Sequence, residues 1–127
     1  MSDYSNKLRK DVFLKFDGLC AYCGCELING KFTIDHIIPK YKGIRTEDLN
    51  SMNITRGTSS IDNLNPCCGS CNSSKSTFTI EKWRREISLK FERSIKESSN
   101  LRLLVRMGMI QYNPDFKFYF EKIKRHG

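Results

Sequence analysis

Two Cys-x-x-Cys pairs, Cys20/Cys23 and Cys68/Cys71, constrain this chain more than any other feature. Each pair presents two thiolates from one tight turn, and four thiolates make a closed tetrahedral zinc site. Gly24 follows the first pair and Gly69 lies inside the second, where backbone has to curl around a metal. Residues 1–10 are polar and lack an export signal, which favours metal over structural disulfides. Cys25 and Cys67, each beside a pair, read as small buried side chains or exposed thiols rather than ligands. The 44 residues between the pairs exceed the roughly 15–20 of a zinc ribbon. Two knuckles bracketing an inserted functional element fit better.

At 127 residues the chain predicts a single domain, 1–127, with no apolar run long enough to span a bilayer. Leu8, Val12, Phe13 and Phe16 recur at helical spacing over residues 6–16, with Ser5 or Asp3 as cap and Asp17-Gly18 as stop. Residues 31–38 read as extended up to Pro39. The Asn29-Gly30 turn signal allows a hairpin between residues 26–28 and 32–34. From Lys40 to Ser60 the spacing predicts a long loop, and a short helix carrying Asn72 and Lys75 follows Cys68. Ile80, Trp83, Ile87, Phe91 and Ile95 fall on one helical arc. A further apolar helix over 101–110 is interrupted or ends near Gly108, and Phe116, Phe118 and Phe120 favour a short strand, with a last helix as the alternative.

Charge points to a polyanionic partner. Lys and Arg total 22 against 14 Asp and Glu, a net +8, divided as +2 over residues 1–75 and +6 over 76–127. Such an excess favours nucleic acid through phosphate contact and counterion release, although a basic surface also aids solubility. On the 80–97 helix, Lys82, Arg85, Lys90, Arg93 and Lys96 lie opposite the apolar stripe. Three Glu-to-base i,i+4 pairs mark that face as solvated. Lys40, Lys42, Arg45 and Arg56, in or beside the long loop, are better candidates for phosphate contact.

Between the cysteine pairs lie Asp35-His36-Ile37-Ile38-Pro39, then Asp62-Asn63-Leu64, then Asn72 and Lys75 just after the second pair. Hydrolysis of a phosphodiester needs a base for water, a cation for the developing charge and help for the leaving oxygen. His36 suits the base. Asp35 and Asn72 offer the oxygen donors that a hard cation such as Mg²⁺ prefers. Asn63 is a candidate to hold the imidazole by a hydrogen bond, and Lys75 to contact a phosphate. A histidine beside apolar residues is commonly just packed, so spacing alone does not make His36 catalytic.

Taken together, Cys20-Ala21-Tyr22-Cys23-Gly24, Asp35-His36-Ile37-Ile38-Pro39, Asp62-Asn63-Leu64 and Cys68-x-x-Cys71-Asn72-x-x-Lys75 resemble the HNH endonuclease family, in its small phage or bacterial form with cysteine knuckles. The resemblance implies an α+β, ββα-metal (treble-clef-like) core over about residues 18–76, flanked by an N-terminal helix and a C-terminal helical extension from about 79. It implies His36 as general base, Asn63 orienting it, and Asp35 with Asn72 on a catalytic Mg²⁺ or Mn²⁺. Structural zinc would sit on Cys20, Cys23, Cys68 and Cys71. Cleavage by this scheme leaves 5′-phosphate and 3′-hydroxyl ends.

The expectation is therefore a metal-dependent nuclease that nicks or cuts DNA, with RNA left open as target. It would act as a monomer or homodimer in the cytoplasm of a bacterial or phage-infected cell, without a membrane partner. The rival reading is a non-catalytic, zinc-stabilised module that only binds nucleic acid.

Overall fold

The computed structural model describes residues 4–123, so Asp3 and His126 lie outside the described residues. The chain divides into two compact units, Met1–Thr79 with Lys117–Gly127, and Ile80–Phe116.

In the larger unit, α1 (Asn6–Leu14) starts at Ser5, whose hydroxyl accepts the Leu8 N–H at 3.1 Å. Its Val12 is wholly buried. Arg9 stacks 4.1 Å over the Phe32 ring and donates to the Phe32 carbonyl at 2.8 Å. Lys15, just past the helix, donates to the Ile61 carbonyl (2.9 Å) and to Asn65 Oδ1 (3.2 Å), fastening α1 to the second strand. That strand, β2 (Leu64–Cys67), runs antiparallel to β1 (Thr33–His36), with Asp35 opposite Asn65 and His36 opposite Leu64. All four residues of β2 are buried. Pro66 brings no N–H, and its carbonyl accepts from Ala21 at 2.9 Å.

The hairpin expectation is corrected. Residues Ile28–Gly30 form a short 3-10 turn, Glu26 bridges Leu19, and β1 pairs with β2 from beyond the long connection. Burial decides it: Ile28 is 67% exposed, whereas β2 brings Leu64 and Cys67 fully into the core. The long loop is corrected too, because it contains α2 (Thr46–Ser51). Leu49 is the only buried side chain of α2, so no apolar period marked it. The helix after the second knuckle, α3 (Gly69–Lys75), begins where Cys68 Sγ accepts the Cys71 N–H at 3.4 Å, and it packs on β1.

At the C-terminal end, Tyr119 and Phe120 donate to the carbonyls of Tyr22 and Ala21 at 3.0 and 2.8 Å. This is strand-like docking, yet Tyr119–Lys122 closes into a short helix, the alternative to the favoured strand. Glu121 Oε1 accepts the Phe118 N–H at 2.9 Å, and such a cap favours the helical turn.

In the smaller unit, α4 (Ile80–Glu97) and α5 (Ser99–Arg106) pack on each other, and Ser98 caps α5 by accepting the Leu101 N–H at 3.1 Å. Phe91 stacks on Tyr112 with centroids 5.2 Å apart. Lys82, Arg85, Lys90, Arg93 and Lys96 are all exposed, as a solvated face requires. Among the described residues no helix is long and apolar enough to cross a membrane.

Candidate functional site

The first knuckle curls tightly. Gly24 adopts φ +80° and donates to the Cys20 carbonyl at 2.9 Å, while the Cys20 N–H returns to the Cys25 carbonyl at 2.8 Å. The sulfurs of Cys20, Cys23, Cys25 and Cys68 all lie within 4.8 Å of one another, and Cys23 and Cys68 are 3.9 Å apart. Tetrahedral zinc with bonds of about 2.3 Å separates its sulfurs by about 3.8 Å, so the donor set fits a soft divalent cation. Cys71 joins the group by donating to the Cys20 sulfur. That hydrogen bond draws the Cys20 thiol down to about 4 and raises the Cys71 thiol. A thiolate is thus favoured at the centre of the cluster. Five cysteines converge here instead of four, with Cys25 inside the group although it is not among the four expected ligands. Its thiol is pushed up to about 12, first by its hydrogen bond to Cys23. Cys67 stays apart, buried on β2 against Thr33, and burial pushes its thiol up to about 12.

Strand alternation sends Asp35 inward from β1. It is 6% exposed, while the Lys75 side chain beside it is wholly buried. Lys75 Nζ lies 3.0 Å from Asp35 Oδ2 and donates to the His36 carbonyl at 2.9 Å. Tyr22, from the first knuckle, donates its hydroxyl to the same Asp35 oxygen; burial and the Asp35 charge keep that phenol protonated. Lys75 therefore does not contact phosphate: its charge is enclosed and neutralised, and it ties α3 to the backbone of His36. Asn72 lies one turn earlier on the same helix, half-buried.

His36 itself lines a cleft, with Nε2 3.3 Å from Ser59 Oγ. Burial, then the charge of Lys40, lowers its pKa below the ordinary histidine value, while Asp35 opposes the shift. Asn63 does not touch the ring. Its amide donates to the carbonyls of Ile38 (3.0 Å) and Thr58 (2.7 Å), and its Oδ1 accepts the Ile38 N–H at 2.8 Å. Asn63 thus fixes the chain leaving His36, and Ser59 is the ring's partner. Nothing in the sequence around Ser59 marks it, because the contact joins the end of β1 to a loop far along the chain.

This clamp closes only because residue 57 is glycine. A Cβ there would stand 1.8 Å from the Ile38 carbonyl oxygen and 2.9 Å from Asn63 Nδ2. Gly57→Ala is expected to destabilise the fold by about 3 kcal/mol, since the obstacle is backbone. Gly69→Ala, with nothing within 4 Å of its Cβ, is the control and should be near neutral. Denaturant midpoints compare the two; equal midpoints would refute the clamp.

The loop cations separate into two kinds. Arg56 donates to the carbonyls of Lys40 (2.6 Å), Tyr41 (2.9 Å) and Ile44, so it builds the loop instead of meeting phosphate. Arg45 pairs with Asp48 at 3.2 Å on the exposed start of α2. Lys40 and Lys42 line the His36 cleft, and among the described residues neither has an ion-pair partner.

Residues 20–78, from the first cysteine to just past Lys75, match the family model described as HNH endonuclease. Neither a curated protein nor a solved structure matches the chain significantly. The match encloses the cysteine cluster together with Asp35, His36, Asn63 and Asn72, and a domain of this kind implies a nuclease acting on nucleic acid. Through that stretch the chain is similar to the HNH endonuclease family.

Proposed function

We propose that the domain hydrolyses DNA phosphodiester bonds, nicking one strand per encounter, with His36 as general base. The observation that carries this reading is the His36 imidazole at the wall of a cleft lined by Lys40 and Lys42, its backbone held by Lys75 and the chain that follows it held by Asn63. In the tautomer whose Nε2–H donates to Ser59 Oγ, Nδ1 keeps its lone pair and takes the proton from water as the water oxygen attacks phosphorus. Lys40 and Lys42 draw the phosphate in.

Asp35 and Asn72 are hard oxygen donors, suited to Mg²⁺ or Mn²⁺. Asp35 has Oδ2 engaged by Tyr22 and Lys75, so Oδ1 is the atom it offers. Such a cation, when bound, neutralises charge on the phosphate and the leaving 3′ oxygen. Zinc on Cys20, Cys23, Cys68 and Cys71 holds the frame. A double-strand cut requires a homodimer or two successive events.

The test is conversion of supercoiled plasmid to open-circle or linear DNA by zinc-loaded protein with Mg²⁺ or Mn²⁺. His36→Ala is expected to lower the rate by about 10²–10⁴-fold while leaving plasmid binding intact. Equal rates would remove His36 from the chemistry. A gel shift without conversion in any divalent metal would leave a binding module.

A further inference from the structure

A site that recognised only phosphate would be lined by donors and cations. The cleft beside His36 is not: Pro39, Tyr41 and Ile44 form an apolar wall, with Lys40 and Lys42 at their side. Its volume, about 400 Å³, falls at the lower end of small-ligand pockets and admits one nucleoside but not a duplex.

The wall is also built in advance. Tyr41 takes φ +53°, a left-handed conformation that a bulky residue adopts only under constraint. The constraint is visible: Arg56 binds the carbonyls of Lys40, Tyr41 and Ile44, and the Ile44 N–H returns to the Tyr41 carbonyl at 3.2 Å. An aromatic ring held in a strained loop beside two unpaired lysines is suited to a planar, anionic ligand.

We propose that this cleft is a subsite for one unpaired nucleoside of a DNA strand. The base packs on Tyr41 and Ile44, and the flanking phosphates lie along Lys40 and Lys42. The inference rests on the nuclease reading and specifies its substrate: DNA unpaired at the nucleotide beside the scissile phosphate, since a base stacked within a duplex cannot reach the wall.

The test uses zinc-loaded full-length protein and fluorescence anisotropy, without added divalent cation. The probes are a short single-stranded DNA, the same strand with one abasic nucleotide moved along it, and the corresponding duplex. The single strand is expected to bind about tenfold tighter than the duplex, and base removal at one position to cost about tenfold. Tyr41→Ala, checked for an unchanged melting midpoint, should carry that penalty already and show no further abasic effect. Ile44→Ala serves the same purpose if Tyr41→Ala fails to fold.

The proposal is overturned if the duplex binds as tightly as the single strand. It is equally overturned by a flat abasic scan, or by an abasic penalty that persists undiminished in the variant. Cleavage with Mg²⁺ or Mn²⁺ separates the two readings. Cleavage with a flat scan removes the subsite alone, and a patterned scan without cleavage removes the nuclease alone.

Discussion

Chelating the cation from the cysteine cluster is expected to abolish the cooperative melting of the unit formed by Met1–Thr79 and Lys117–Gly127. The cluster joins both knuckles, and everything that holds His36 in place, β1, β2 and α3, is anchored between them. A structural zinc contributes about 10–16 kcal/mol in apparent terms, as much as the roughly 5–15 kcal/mol that separates a folded domain from its unfolded chain. Left without the cation, converging sulfurs would either share protons or repel one another as thiolates. Calorimetry with and without chelator checks this, and an unchanged transition would show the cluster to be incidental. Cysteine substitutions then assign the fourth ligand. Cys25→Ser should keep one zinc per chain against a competing chelator, and Cys71→Ser should lose it. The reverse result would give the fourth position to Cys25, whose sulfur already lies within the mutual 4.8 Å group.

Replacing Lys75 by methionine is expected to cost about 3–5 kcal/mol, because it leaves the Asp35 carboxylate buried without its counter-charge. Asp35→Asn alone strands the Lys75 ammonium and should cost a similar amount. The double substitution should recover most of the loss, since a buried ion pair replaced as a whole is close to neutral. A double-mutant cycle by urea unfolding reads the coupling. Additive effects would mean that the 3.0 Å pair contributes little, and that Lys75 matters only through its hydrogen bond to the His36 carbonyl.

The element types were largely legible in the residues. Helical spacing marks α1 and α4, and Ser5, Cys68 and Ser98 cap helices where their side chains permit. The paired knuckles predict a thiol cluster, and one forms. What failed was pairing at short range. The turn signal at Asn29-Gly30 was real, but local signals cannot weigh the burial that β2 offers β1 from far along the chain. Helix α2 escaped because a single buried leucine makes no period.

The sequence by itself determined which chemical groups are present and in what order: two knuckles, an Asp-His on a strand between them, and an Asn and a Lys one turn apart after the second. Only the tertiary structure decided what each group touches. Lys75 and Arg56 look like phosphate ligands in a basic chain, yet one is wholly enclosed on Asp35 and the other grips three loop carbonyls. Asn63 reads as a partner for the imidazole and holds backbone instead, while Ser59 enters the site from a position no motif singles out, and Tyr22 and Cys25 take contacts their place in or beside the first knuckle does not announce. The physical reason is that a cation or an amide binds whatever donor or acceptor the fold leaves unsatisfied nearby. Which one that is depends on contacts between segments far apart in the chain.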